Sequence, residues 1–99
     1  METFGEYIRQ LRINAGLPIR KIAAQLDIDS SLLGRIERNE RHANKEIIAE
    51  IAKIFNQDTE DLMQRFLSDQ IAYKILDENV DIKVLKIAEQ KIEYLKSKI

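Results

Sequence analysis

The apolar positions of this chain recur at helical rather than strand spacing from the first residues onward. Phe4, Tyr7, Ile8, Leu11 and Ala15 fall on one side of a 3.6-residue period. Thr3 followed three residues later by Glu6 is a capping box, so a first helix is predicted over about Phe4–Asn14, with Gly16 as its natural stop. Pro18 suits a first helical position, where the missing N–H costs nothing, and starts a second helix to about Gln25 that buries Ile22, Ala23 and Leu26. Asp29 or Ser30 then caps a third helix, about Ser30–Arg38, carrying Leu32, Leu33 and Ile36. The connection between the second and third helices is only a few residues long.

Asn39 to Ala43 has no periodicity and is predicted as a loop. Asn44 caps a fourth helix that carries Ile47, Ile48, Ile51, Ala52, Ile54 and Phe55, and Asn56 can take the left-handed conformation that ends it. Asp58 or Thr59 caps a fifth helix through Leu62, Met63, Phe66 and Leu67. The pattern resumes at Ile71, Ile75 and Leu76, which leaves open one long helix or two broken near Ser68 and Asp69. A last helix, about Ile82 to Lys98, places Leu85, Ala88, Ile92, Leu95 and Ile99 three and four residues apart, a coiled-coil seam of barely two heptads. So short a seam either packs on its own globule or adds to a larger interface. The expected architecture is all-α, with a five-helix domain over 1–67 and a helical extension over 68–99 that serves dimerisation.

Composition narrows the possible chemistry. Ninety-nine residues with 44% hydrophobic and 33% charged side chains, three Gly and one Pro fit one ordered, helix-rich domain. No Cys means no disulfide, no thiol nucleophile and no Cys-containing zinc finger, and a single His builds no zinc site, so no metal or cofactor is expected. No apolar run exceeds three residues and no signal-peptide h-region is present, which predicts a soluble, cytoplasmic protein without membrane contact. The net charge of −1 hides a polarity: residues 1–45 carry eight Lys/Arg against six acids, and six of the seven arginines lie in the first 41 residues. Arginine's planar fork suits phosphate and guanine, but it equally serves surface ion pairs, and charge alone leaves both readings open.

Leu17-Pro18-Ile19-Arg20-Lys21-Ile22-Ala23-Ala24-Gln25-Leu26-Asp27-Ile28-Asp29-Ser30-Ser31-Leu32-Leu33-Gly34-Arg35-Ile36-Glu37-Arg38-Asn39-Glu40-Arg41 carries a more specific signal. It resembles the helix-turn-helix of the XRE family, the class of the phage lambda and 434 repressors and Cro, with Ile22-Ala23, Ile28, Leu33, Ile36 and Glu37 in register over a likeness covering about residues 4–66. The resemblance implies a lambda-repressor-like fold. Four positions depart from the pattern. Asp27 stands for the usual turn Gly, Asn39 for the Gly after the recognition helix, Ile19 for the Gln that often touches phosphate, and Ala43 for a common Pro. Asp and Asn tolerate left-handed backbone better than other non-Gly residues. The loss at Ile19 leaves the phosphate contact to Arg20 or to backbone amides.

By this resemblance the third helix enters the major groove, and Ser30, Ser31, Gly34 and Arg35 near its N-terminal end meet base edges. Arg35 is the expected main reader, since its fork matches guanine O6 and N7. One of the serines has capping of the third helix as its alternative use. Asp29 is expected as an N-cap, because a carboxylate repels phosphate. Arg12 and Glu37 are expected to pair as scaffold. Arg20, Arg38, Arg41, His42 and Lys45 are the expected phosphate contacts, against the plainer reading of a solvated charged loop.

The implied function is that of a sequence-specific transcriptional regulator that binds double-stranded operator DNA as a homodimer, with RNA polymerase as a further partner. The resemblance leans towards the controller proteins of restriction–modification systems, which regulate their own expression; self-repressing antitoxins of toxin–antitoxin operons are the alternative within the class. The expected dimer contacts are Leu62, Phe66, Ile92 and Leu95, unless these simply complete each subunit's core. Two other classes remain to be weighed. An enzyme would need a nucleophile–base pair, a carboxylate pair in a pocket or a Gly-rich phosphate loop, none of which is present, so no catalytic residue is expected. A protein-interaction module that kept the fold and lost DNA binding is opposed by Arg35 and Arg38 on the exposed side of the third helix.

Overall fold

The computed structural model describes residues 1–99. It is all-α, with α1 (Phe4–Asn14), α2 (Ile19–Leu26), α3 (Ser30–Glu37), α4 (Lys45–Ile54), α5 (Thr59–Glu78) and α6 (Val84–Lys96). Two compact units divide between Asp69 and Gln70, where the sequence pattern places the break after Leu67. The predicted second helix starts one residue later than expected: Pro18 is its cap, extended at ψ 153°, and the first helical residue is Ile19. The third ends at Glu37, with Arg38 as its cap. The fifth is a single helix of 20 residues.

In the first unit the helix boundaries follow from local chemistry. Both arms of the capping box at α1 form, the Thr3 hydroxyl accepting from the Glu6 amide at 3.2 Å and the Glu6 carboxylate accepting from the Thr3 amide at 2.8 Å. These hydrogen bonds from Thr3 hold the Glu6 carboxyl below its ordinary range. Asn44 Oδ1 likewise accepts from the Ile47 amide at 2.8 Å to open α4. Four of the helix ends turn through positive φ at Gly16, Asp27, Asn39 and Asn56, at 69°, 57°, 63° and 52°. Each of these residue types visits that region at low cost.

The amphipathic faces close on Ile8, Ile22, Leu33, Ile36, Ile48, Ile51 and Leu62, all fully buried. Each such side chain contributes about 1.5–3 kcal/mol by leaving water. Helix α3 packs on α1 and α2, and α2 also packs on α4. Leu62 is therefore not a dimer contact as the sequence suggests: it is 0% exposed and a subunit partner has no access to it. Phe66 also packs inward, its ring edge-on to Phe4 at 5.3 Å between centroids. The helical stripe that marks both residues as apolar does not say which surface they meet.

The second unit comprises the remainder of α5, a turn and α6. Asn79 ends α5 at φ 52°, and the Asp81 carboxylate accepts from the Lys83 amide at 2.8 Å, so α6 begins at Val84 rather than Ile82. No residue of α6 is buried, and Ile92 and Leu95 are more than half exposed. No helix in the chain is long and apolar enough to cross a membrane.

Candidate nucleic-acid interface

Helices α2 and α3 are joined by Asp27, Ile28 and Asp29. The Asp27 amide donates to Ala24 O at 3.2 Å and the Ile28 amide to Ala23 O at 3.0 Å, which ties off the end of α2 while Asp27 turns left-handed. Ile28 packs against the core and fixes the turn, and Asp29 is extended at ψ 146° so that α3 leaves in a new direction. Asp29 occupies the cap position, but its side chain makes no capping hydrogen bond. Neither serine takes over that task, and both Ser30 and Ser31 are exposed.

One face of α3 is buried through Leu33, Gly34, Ile36 and Glu37, and the other presents Ser30, Ser31 and Arg35, with the cap Arg38 one turn on. Ser31, Arg35 and Arg38 stand four and three residues apart and so share a stripe. Gly34 departs from its expected role. It is buried, and a Cβ there would lie 3.2 Å from Arg38 Nη1 and 3.6 Å from Ile19 Cδ1, so its open position is filled by the Arg38 guanidinium rather than offered to a base edge. Ile19, where the resemblance expects a polar side chain, packs against the core instead.

The charged groups divide by pairing. Arg12 and Glu37 form a fork, Nε to Oε2 at 2.7 Å and Nη2 to Oε1 at 2.9 Å, and Arg12 Nη1 also donates to Leu17 O at 3.1 Å. The Glu37 hydrogen bonds outweigh desolvation and raise the Arg12 pKa further. This pair lies between α1 and the end of α3, with side chains 13% and 4% exposed, and so belongs to the scaffold. Arg38 pairs with Glu40 at 2.9 Å on the exposed surface, a contact that holds Glu40 below the usual carboxylate range and is weak enough to exchange for phosphate. The remaining ion pairs use Lys53, Arg65 and Lys74, so among the expected DNA contacts Arg20, Arg35, Arg41 and Lys45 are exposed and without carboxylate partners. His42 is exposed as well, and its ring stands edge-on to Phe66 at 5.9 Å, so Phe66 supports the loop after α3.

Several organising contacts carry no sequence signal because their partners are remote in the chain. The first amide of α1, on Phe4, donates to Asp69 Oδ2 at 2.7 Å. The second, on Gly5, donates to Asn39 Oδ1 at 3.2 Å, while Asn39 Nδ2 donates to the Thr3 hydroxyl at 2.7 Å. Tyr7 donates its hydroxyl proton to Gln57 Oε1 at 2.8 Å, and the Arg65 guanidinium lies 3.9 Å over its ring.

Comparison with known proteins agrees with this fold. The structure of the clp gene regulator ClgR from Corynebacterium glutamicum is similar at 17% identity and a TM-score of 0.57, over 89% of this chain and 88% of that one. The SinR protein/SinI protein complex contains a chain similar at 17% identity and a TM-score of 0.57, over 96% of this chain and 99% of that one. At such identity these likenesses establish the all-α fold alone. No curated protein matches the chain. The helix-turn-helix domain family matches residues 5–66, which span α1 to the middle of α5 and contain the whole α2–turn–α3 unit. The chain belongs to the helix-turn-helix domain family.

Proposed function

We propose that this protein is a sequence-specific transcriptional regulator that binds operator DNA through α3 and acts by binding rather than catalysis. The observation that carries the reading is Arg35. It projects from the exposed face of α3 one turn after Ser31 and has no carboxylate partner, although 17 acidic side chains are present in the chain. An arginine held free on a helix that fits the major groove can give guanine two parallel hydrogen bonds, worth about 1–3 kcal/mol against the wrong base. Ser30 and Ser31 add adaptable hydrogen bonds. Arg20, Arg41 and Lys45, together with Arg38 once released from Glu40 and with His42, supply the phosphate grip that fixes register.

The operator-bound form in this proposal is a homodimer. One recognition helix covers too little DNA for tight specificity, and a two-fold pair reads two half-sites. The exposed apolar positions of the second unit, Ile92 and Leu95 among them, favour that unit as the source of the contact. The regulatory role itself fits the description of ClgR as a gene regulator. Within that role we place the protein with regulators of their own operon, the behaviour of the restriction–modification controllers its sequence resembles.

The test is fluorescence anisotropy with a duplex taken from immediately upstream of the protein's own gene, at two salt concentrations. Wild-type binding should weaken with salt, and Arg35→Ala should lose preference over random duplex at unchanged stability. Binding that is absent, or that keeps its preference in the variant, would sink the proposal and leave a protein-interaction module.

A further inference from the structure

The exit of α3 holds a side chain whose geometry exceeds what its backbone needs. Asn39 sits at φ 63°, where its own amide donates to Ile36 O at 3.1 Å and the Glu40 amide donates to Arg35 O at 2.8 Å. A glycine would make that turn at lower cost. The asparagine amide group does something glycine cannot: it accepts from Gly5 N–H and donates to the Thr3 hydroxyl, which itself caps Glu6 N–H. Together with Asp69 on the Phe4 amide, the three opening amides of α1 are thus taken by side chains from three places in the chain. Asp27 makes an informative contrast, because it has the same left-handed backbone at the end of α2, yet its side chain enters no hydrogen bond that positions α1 or α3.

We propose that Asn39 is a positioning residue for DNA binding: it anchors the segment from Arg38 to His42 onto the start of α1, so that the cations after the recognition helix are held where phosphate will lie. This inference rests on the DNA-binding reading above. The anchorage has two further points on the same segment. Ala43 is buried at its far end, and the His42 ring rests against Phe66, which in turn packs on Phe4 beside the Asp69 contact. Of the three, only the Asn39 anchor is a side-chain hydrogen-bond pair, and removing it leaves the buried core untouched. Without it, Arg38 and Arg41 must be ordered at the moment of binding, and the ordering cost subtracts from affinity.

Asn39→Gly separates this role from a purely structural one, because it relieves the left-handed backbone while deleting both side-chain hydrogen bonds. Asp27→Gly is the matched control, giving the same backbone relief without loss of an anchor. The probe is a duplex that the wild-type protein selects from a randomised pool. Asn39→Gly should keep the thermal midpoint within a few degrees of wild type, yet bind about tenfold more weakly. Its slope of log K against log salt should be shallower by about one phosphate, near 0.9. Asp27→Gly should bind as well as wild type or better. Wild-type affinity and salt slope in Asn39→Gly would overturn the proposal, as would an equal loss in Asp27→Gly. If the wild-type protein selects no duplex, the DNA-binding reading falls and takes this inference with it.

Discussion

Replacing Gly5 with alanine sets two well-defined effects against each other. Gly5 lies in the first turn of α1, where alanine is favoured over glycine by up to about 1 kcal/mol of helix propensity. The structure reverses that preference. A Cβ at position 5 would lie 2.5 Å from both Glu37 O and Ile36 O and 2.7 Å from Asn39 Oδ1, about 0.7–0.9 Å inside the ordinary contact limit of 3.4 Å. Two of these obstacles are backbone carbonyls at the end of α3 and cannot rotate aside. To accommodate the methyl group, α1 has to back away from α3, which strains the Arg12–Glu37 fork and the Gly5–Asn39 hydrogen bond. Overpacking of this kind costs typically 1–3 kcal/mol, and it acts here on two polar anchors as well as on apolar packing. We expect a net loss of about 1–2 kcal/mol, which for a cooperative unit of this size lowers the thermal midpoint by roughly 5–15 °C. Circular dichroism melts and urea titrations of wild type and Gly5→Ala measure it directly. A variant as stable as wild type, or stabilised by the propensity difference, would refute the close approach of α1 to α3.

The remaining expectations concern charge, pH and the two kinds of apolar residue. Glu37→Ala leaves the partly buried Arg12 guanidinium without its carboxylate and should cost about 3 kcal/mol by urea unfolding, whereas a loss under 1 kcal/mol would mean that the fork is only a surface pair. Because the folded pKa of Glu6 lies below its unfolded value of 4.5, the capping box stabilises fully above that value. That contribution disappears as pH falls through the folded pKa, so Glu6→Gln should flatten the acid limb of a stability–pH curve, and an acid limb identical to wild type would mean that the capping box does not form. Leu62→Ala should cost 2–5 kcal/mol through a core cavity, roughly, while Ile92→Asp with Leu95→Asp should leave the melt of the first unit unchanged and shift sedimentation towards monomer. Sedimentation identical to wild type in that double variant would remove the second unit from the dimer proposal.

What the sequence discloses here is what short-range chemistry decides. The Thr3–Glu6 box, the Asn44 cap and the left-handed Asn56 each depend on neighbours within a few positions, and each stands where the spacing predicts, while left-handed backbone at Asp27 and Asn39 follows from the glycines they replace in the family pattern. The Arg12–Glu37 fork came only through resemblance, since nothing local ties residues 25 apart. Continuity of α5 was undecidable from Ser68 and Asp69, whose polar character suggests a break. Asp69 is instead spent on Phe4, a use visible only once the chain has folded. The surroundings of Gly34 are hidden from the sequence for a related reason. Its place on α3 points towards a groove, but the Arg38 side chain folds back over it. Leu62 shows the limit of periodicity, which marks a residue as apolar without naming the surface it will meet.

The hydrogen bond from Phe4 to Asp69 also bears on how the first unit can be rearranged. It joins residues 65 apart at a distance of 2.7 Å, so the two ends of this unit lie side by side. A short Gly/Ser linker between them would let the unit be circularly permuted, with new termini opened in the exposed stretch around Glu40 and Arg41. Such a permutant would keep every helix of the first unit in place while moving the chain ends to the basic segment beside α3.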